Sequence, residues 1–296
     1  MTKEGTGLPE AGTLYVVATP IGNLSDLSPR AAATLNACDL IAAEDTRHTG
    51  ILLKRFQIST PQLSLHEHNE GARAVEIIAR LREGKSIALV SDAGTPAISD
   101  PGFELVRAVA ATGMKVVAIP GPCAAIAALS IGALPTDRFC FEGFLPARGA
   151  ARKLRLKSLA TEPRTLVIYE SPHRVRETLE DCVAAFGETR AAAVVREATK
   201  LHETTYRGTL RELLDQSGAD ADFSRGEIVL IIGGASQADS GDGDAEAKSR
   251  LDKVLIALLA ELPLKQAARL AAQITGTRDN ESYKRALVLK AQSASQ

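Results

Sequence analysis

The chain has no tryptophan, four tyrosines, seven phenylalanines and four cysteines, and it carries no apolar run long enough to span a bilayer. Each shortage excludes something. A membrane helix needs about 20 consecutive apolar residues, and the polar start from Met1 to Gly12 lacks the charged-then-apolar order of a secretion signal, so a soluble, cytoplasmic protein is expected. Cys38, Cys123, Cys140 and Cys182 are scattered, with no C-x-x-C pair and no histidine at metal spacing. They read as buried thiols in a reducing compartment and argue against structural zinc. The formal net charge of −1 gives the whole chain no bias toward a polyanion.

What is present is α/β patterning. At 296 residues and 45% hydrophobic, the chain can fill two domains and an appendage. Strands are predicted at Thr13 to Ala18, Leu40 to Ala43, Ile87 to Ser91 and Lys115 to Ile119. Helices are predicted near Ala72 to Glu83 and from an Asp100-Pro101 cap to Thr112, as in a parallel sheet covered by helices. A second series follows residue 135, with strands at Phe139 to Glu142, Thr165 to Tyr169, Ala191 to Val195, Thr204 to Gly208 and Glu227 to Ile232. One helix there, Arg174 to Phe186, and adjacent strand pairs suggest a mixed sheet. The expected division is a flexible start over 1–12, α/β domains over 13–135 and 136–234, and a linker over 235–247. The linker is expected because its small, acidic composition buries little. A helical module over 248–296 fits a helix-turn-helix and a packing or dimerisation bundle equally.

Charge is distributed less evenly than the total suggests. Eight basic residues between Pro146 and Arg176 face two acids, and nine between Lys248 and Gln296 face four. Such patches suit a polyanionic partner gripped by its phosphates, or simply a solvated basic face.

Three loops at predicted strand ends stand out. Ala18 to Leu24 (ATPIGNL) lacks G-x-G-x-x-G and is neither a dinucleotide fingerprint nor a P-loop. Ser91 to Gly102 (SDAGTPAISDPG) carries acceptors and hydroxyls suited to a ribose or an ammonium rather than to phosphate, and is longer than a turn requires, although Asp100 reads as a helix cap. Pro120 to Ala125 (PGPCAA) is a rigid turn into a small-residue helix that lets backbone approach a ligand. In open α/β sheets such loops share one rim.

Together with AAEDTRHTGILL, LHEHNE, GFLP, YESPHR, REATKLHE and GEIVLIIGG, these loops make the chain resemble the tetrapyrrole methylase superfamily and, within it, the ribosomal RNA methyltransferases. The resemblance implies two α/β domains clasping S-adenosylmethionine, a helix-turn-helix-like tail, a homodimer, and 2′-O-methylation of a cytidine in 16S ribosomal RNA, with the assembled small subunit as the expected substrate. It further implies a cofactor site of Ile21, Asp92, Gly94, Thr95, Ile98, Pro120, Gly121, Cys123 and Ala124, met by Tyr169 and Glu170 from the second domain. A tetrapyrrole or other small-molecule methylase of the same fold, and a non-catalytic RNA-binding assembly module, are the competing expectations.

Methyl transfer to a hydroxyl needs alignment and either a base or a cation that favours the alkoxide. Glu44, Asp45 and Lys200 are the catalytic candidates. Lys200 serves as a base if its pKa is lowered, or else pairs with Glu197 or Glu203. Arg47 and His48 follow the two acids and read as substrate contacts, against the plainer reading of a helix start with favourable acids. His66 and Asn69 are expected to bond RNA or cap a helix, with no third ligand for a metal. Arg174 and Arg176 are expected to contact phosphate, and with so few aromatic residues base stacking is expected to contribute little.

Overall fold

The computed structural model describes residues 9–66, 68–235 and 243–293. The chain divides into two compact units, residues 1–234 and 235–296. In the first unit, β1 (Thr13–Val17), α1 (Pro29–Ala37), β2 (Leu40–Ala43), α2 (Thr46–Arg55), β3 (Gln62–Ser64), α3 (Glu70–Arg82), β4 (Ile87–Val90), α4 (Phe103–Ala111) and β5 (Lys115–Ile119) alternate. They form a wholly parallel sheet in the order β3-β2-β4-β1-β5. The apolar runs of β2 and β4 are buried at every position, as a strand covered on both faces requires. Leu27, Leu35 and Leu52 pack on one face; Ile77, Leu81 and Leu105 pack on the other.

The α4 start departs from expectation. Gly102 is its N-cap residue and donates no side-chain cap, so Asp100 is not the cap. The buried Glu70 at the head of α3 accepts instead from the Leu105 N–H at 2.9 Å. One of the helix's orphan donors is thereby satisfied from a neighbouring helix.

Helix α5 (Ala124–Ile131) follows β5 but packs elsewhere. Ala125, Ala128 and Leu129 bury against Val167, Ala193, Val229 and Ile231 of the second sheet. By packing, α5 thus belongs with the second sheet. The second sheet comprises β6 (Phe139–Phe144), β7 (Thr165–Glu170), β8 (Ala191–Arg196), β9 (Thr204–Thr209) and β10 (Ile228–Ile232) in the order β6-β7-β10-β8-β9. Only β6–β7 is parallel, so the sheet is mixed, as its closely spaced strands imply. Its far face is covered by α6 (Gly149–Leu159), α7 (Val175–Phe186) and α8 (Leu210–Ala219), through Leu156, Leu179, Phe186 and Leu213.

The second unit is a three-helix bundle of α9 (Gly243–Glu261), α10 (Leu264–Thr275) and α11 (Asp279–Ser293), cored by Leu251, Leu255, Ala268, Ala271 and Ala286. Helix α9 starts at Gly243, inside the segment expected to be linker; residues 236–242 of that segment, like 1–8 of the expected flexible start, lie outside the described residues. Gly276 ends α10 in the left-handed region, the usual glycine stop. Among the described residues, no helix is long and apolar enough to cross a membrane.

Candidate functional site

Because β4, β1 and β5 are neighbours in the sheet, the loops leaving their carboxyl ends are forced together. Thr19 and Gly94 exchange backbone hydrogen bonds of 2.8 and 3.1 Å, and the Thr95 hydroxyl donates to the Pro122 carbonyl at 3.0 Å. Ile21 is buried against Gly94, while Ile98 stays accessible. Ala97 and Ser99 hold left-handed φ values of 69° and 64°. Such conformations cost about 1–3 kcal/mol each and persist where the surroundings impose them, often at functional sites.

The start of α2 closes one side. The Asp45 N–H donates to Asp92 at 3.0 Å, and the Asp92 N–H donates to Glu44 at 3.4 Å. Asp45 is the N-cap of α2, accepting from the Arg47 N–H at 2.8 Å and pairing with its guanidinium, which holds the Asp45 carboxyl far below the usual range. The plainer reading of this acid therefore holds, and the Arg47 side chain projects 90% exposed at the rim with His48 exposed beside it. Glu44 is pushed up, first by burial and then by the Asp92 and Asp45 charges, against the Asp92 hydrogen bond. Asp100 rises to about 6 through burial, opposed by Ser91 and reinforced by Glu44 and Asp92. The rim thus presents acids that repel one another, a surface that favours a cationic ligand.

One strand further out, Asn69 accepts from the His66 N–H at 2.9 Å and donates to the Ser64 carbonyl at 3.3 Å. It closes the turn after β3 rather than reaching for a ligand. His66 and His68 are exposed, and no group of three ligating side chains stands together among the described residues.

The second sheet supplies two approaches. The Tyr169 hydroxyl accepts from the Ala125 N–H at 3.1 Å, just past Cys123 and Ala124, and burial raises its pKa. Beyond β8, Glu197 and Thr199 adopt φ values of 53° and 67°, and Lys200 is delivered across Gly22 of the first loop. A Cβ on Gly22 would lie 2.3 Å from the Lys200 Cγ, so the lysine stem occupies the space a side chain would need. Lys200 Nζ pairs with Glu197 at 3.0 Å and Glu227 at 3.2 Å. Glu203 bonds the Thr199 N–H instead. Burial pulls the Lys200 pKa down, but the two carboxylates outweigh it and leave it raised. That opposes a role as base and leaves a fixed cation.

Glu170, Arg174 and Arg176 are engaged elsewhere. Glu170 has its side chain wholly buried, accepting from the Thr178 hydroxyl at 2.6 Å and the Ser171 N–H at 2.8 Å under the first turn of α7. It faces away from the three loops. Arg174 turns inward, donating to the Leu145 and Pro146 carbonyls at 2.9 and 3.2 Å and lying 3.4 Å from Glu170, so it offers phosphate little. Arg176 lies on the α7–α8 side, beside Gly218 and Glu180. The basic run is largely consumed internally: Arg152 is fully buried between Asp181 and Glu177, Arg155 pairs with Glu142, and Arg164 with Glu162. Glu197 is a partner expected for Lys200, whereas Glu70, Gly22 and Glu227 gave no sequence signal, because each acts through a partner distant in the chain.

A model of the tetrapyrrole (corrin/porphyrin) methylases matches residues 13–214, from β1 into α8. The chain belongs to the tetrapyrrole methylase family. In this methylase a second model, the RsmI C-terminal HTH domain, matches residues 244–290, the three-helix bundle. Ribosomal RNA small subunit methyltransferase I of Escherichia coli O157:H7 is 52% identical over 276 residues, covering 93% of this chain and 95% of that one. The protein of the same description from Pseudomonas aeruginosa is 53% identical, covering 94% and 97%. The fold is also that of uroporphyrin-III C-methyltransferase from Thermus thermophilus, solved with S-adenosyl homocysteine. That structure has a TM-score of 0.52 at 16% identity and covers 75% of this methylase and 97% of its own chain.

Proposed function

We propose that this methylase transfers a methyl group from S-adenosylmethionine to the 2′-oxygen of a cytidine ribose in 16S ribosomal RNA, acting on the assembled small subunit. The observation that carries the reading is the meeting of Lys200 with the first loop at Gly22, where strand-end loops of both sheets come together. The site fits the donor: backbone, hydroxyls and apolar groups at Thr95, Gly121, Ile21 and Ile98 suit an adenosine, and the acids Glu44, Asp92 and Asp100 suit a sulfonium and an ammonium. When bound, the donor supplies an electrophilic methyl group. The relatives' names support ribosomal RNA as acceptor.

In this reading the chain's own groups divide the work. Lys200, fixed by two carboxylates, stabilises negative charge growing on the 2′-oxygen, as a preorganised cation does in a site that excludes water. Glu44, half-buried and raised in pKa, accepts the proton. Asp45 holds Arg47 out at the rim, where its guanidinium meets RNA phosphate. Mapping ribose methylation in small-subunit RNA from a strain lacking the protein tests the proposal. One methylated cytidine should disappear and return with the wild-type gene but not with Lys200→Met; an unchanged methylation map would overturn it.

A further inference from the structure

The chain's few aromatic rings are not spread evenly. Tyr169 is flanked by Phe141, with ring centroids 4.9 Å apart, and by Phe144, at 5.6 Å, both edge-to-face. Phe141 and Tyr169 pack against the α5 side of the second sheet, but Phe144 remains 57% exposed.

Phe144 is there because of an irregularity in β6. Strand alternation would put Phe144 on the same face as Cys140, which packs toward α6, α7 and α8. The β6–β7 register shifts between Phe141 and Gly143, so that Gly143 pairs with Ile168 and Phe144 with Tyr169. The extra residue turns every following side chain to the opposite face. Gly143 takes a φ of 62°, which favours glycine, and the space for a Cβ there lies 3.2 Å from the Ser99 hydroxyl. The bulge therefore moves a large apolar ring out of a core that could have buried it. It sets the ring beside Tyr169, one residue from Gly143, whose Cβ position meets Ser99 of the 91–102 loop.

We propose that Phe144 is the stacking platform for a base of the RNA substrate, at or beside the nucleotide that is modified. The inference rests on the function proposed above. A methyl acceptor on a ribose must leave its helix to reach a cleft between two sheets, and bases splayed out of RNA are held by stacking on aromatic faces. An exposed ring, buttressed at its edge and itself uncharged, suits the flat face of a base better than it suits phosphate.

The absence of tryptophan makes the test direct, because Phe144→Trp introduces a single indole reporter. Phe144→Ala should lower kcat/KM for small-subunit RNA roughly 10- to 100-fold, the range expected for one stacked base. Its affinity for S-adenosylmethionine and its melting temperature should stay unchanged. Phe144→Trp should retain methylation, and its fluorescence should be quenched by RNA added to the complex with S-adenosyl homocysteine. Unchanged kcat/KM in Phe144→Ala would overturn the proposal. So would full quenching by S-adenosyl homocysteine alone, since the ring would then serve the cofactor's adenine. If Phe144→Ala loses stability, the quenching experiment on Phe144→Trp decides. A wild-type protein that binds the donor and methylates RNA while the platform tests fail refutes this inference alone; a wild type that does neither refutes the function beneath it.

Discussion

Replacing Gly22 by alanine tests whether Lys200 acts as a positioned cation. The added Cβ would stand 2.3 Å from the lysine Cγ, 2.9 Å from Cε and 3.1 Å from Cδ. Carbon atoms cannot approach so closely, so the stem must shift by about 1 Å to reach ordinary contact. Its Nζ is held at 3.0 and 3.2 Å by Glu197 and Glu227, and such a shift breaks one pair or carries the ammonium off its target. Misplacing a catalytic group by about 1 Å costs on the order of 100-fold in rate. The backbone of Gly22 is not in the left-handed region, so alanine adds no conformational strain. Stability should fall by less than about 1 kcal/mol, since the displaced side chain is partly exposed. Single-turnover methylation of small-subunit RNA should therefore drop roughly 100-fold with the melting temperature nearly unchanged. In a Lys200→Met background, Gly22→Ala should have little further effect, because both substitutions remove one interaction. Full activity of Gly22→Ala, or additive losses in the double variant, would refute the reasoning.

Three further outcomes follow from the site and its supports. Asp100 titrates near 6, and a cationic donor favours its ionised form, so affinity for S-adenosylmethionine should rise from pH 5 to 7 and level off. Calorimetry across that range, with Asp100→Asn flattening the profile, checks this, and a flat wild-type profile contradicts it. The stability of the free protein runs the other way: a carboxyl whose folded pKa is raised favours the protonated native state, a contribution lost as pH rises through about 6. Glu70→Ala leaves the Leu105 N–H unpaired at the head of α4 and should cost about 1–2 kcal/mol in denaturant unfolding, whereas Glu70→Gln keeps an acceptor and should cost less. Arg174→Ala should destabilise by about 1–3 kcal/mol through the freed Leu145 carbonyl and Glu170 carboxylate, yet leave the salt dependence of RNA binding unchanged; a shallower slope would restore the phosphate contact.

The first sheet was legible because β2 and β4 are short apolar runs bounded by turn residues, and the convergence of three loops follows from parallel strands sharing one rim. Helices α6 and α8 escaped notice: the basic residues of α6 mask its apolar stripe, and α8 follows β9 directly through the Thr209 capping box. The expected linker ends early because its last residues, rich in alanine and glutamate, also suit a helix. Counting charge along the chain overstated the basic surface, since Arg152 and Arg155 pair with Asp181 and Glu142, acids outside the counted run. The bulge at Gly143 and the clasp of Lys200 over Gly22 are likewise settled by contacts between segments. Among the carried-over site residues, Tyr169 reaches the third loop, whereas the adjacent Glu170 points to the opposite side of its strand, as alternation requires.

Titrating purified protein with S-adenosylmethionine in a calorimeter probes the central claim most directly. Saturable uptake at a single site per chain, weakened by crowding the first loop with Ile21→Trp, is the predicted result. No measurable binding by correctly folded wild-type protein would contradict the account.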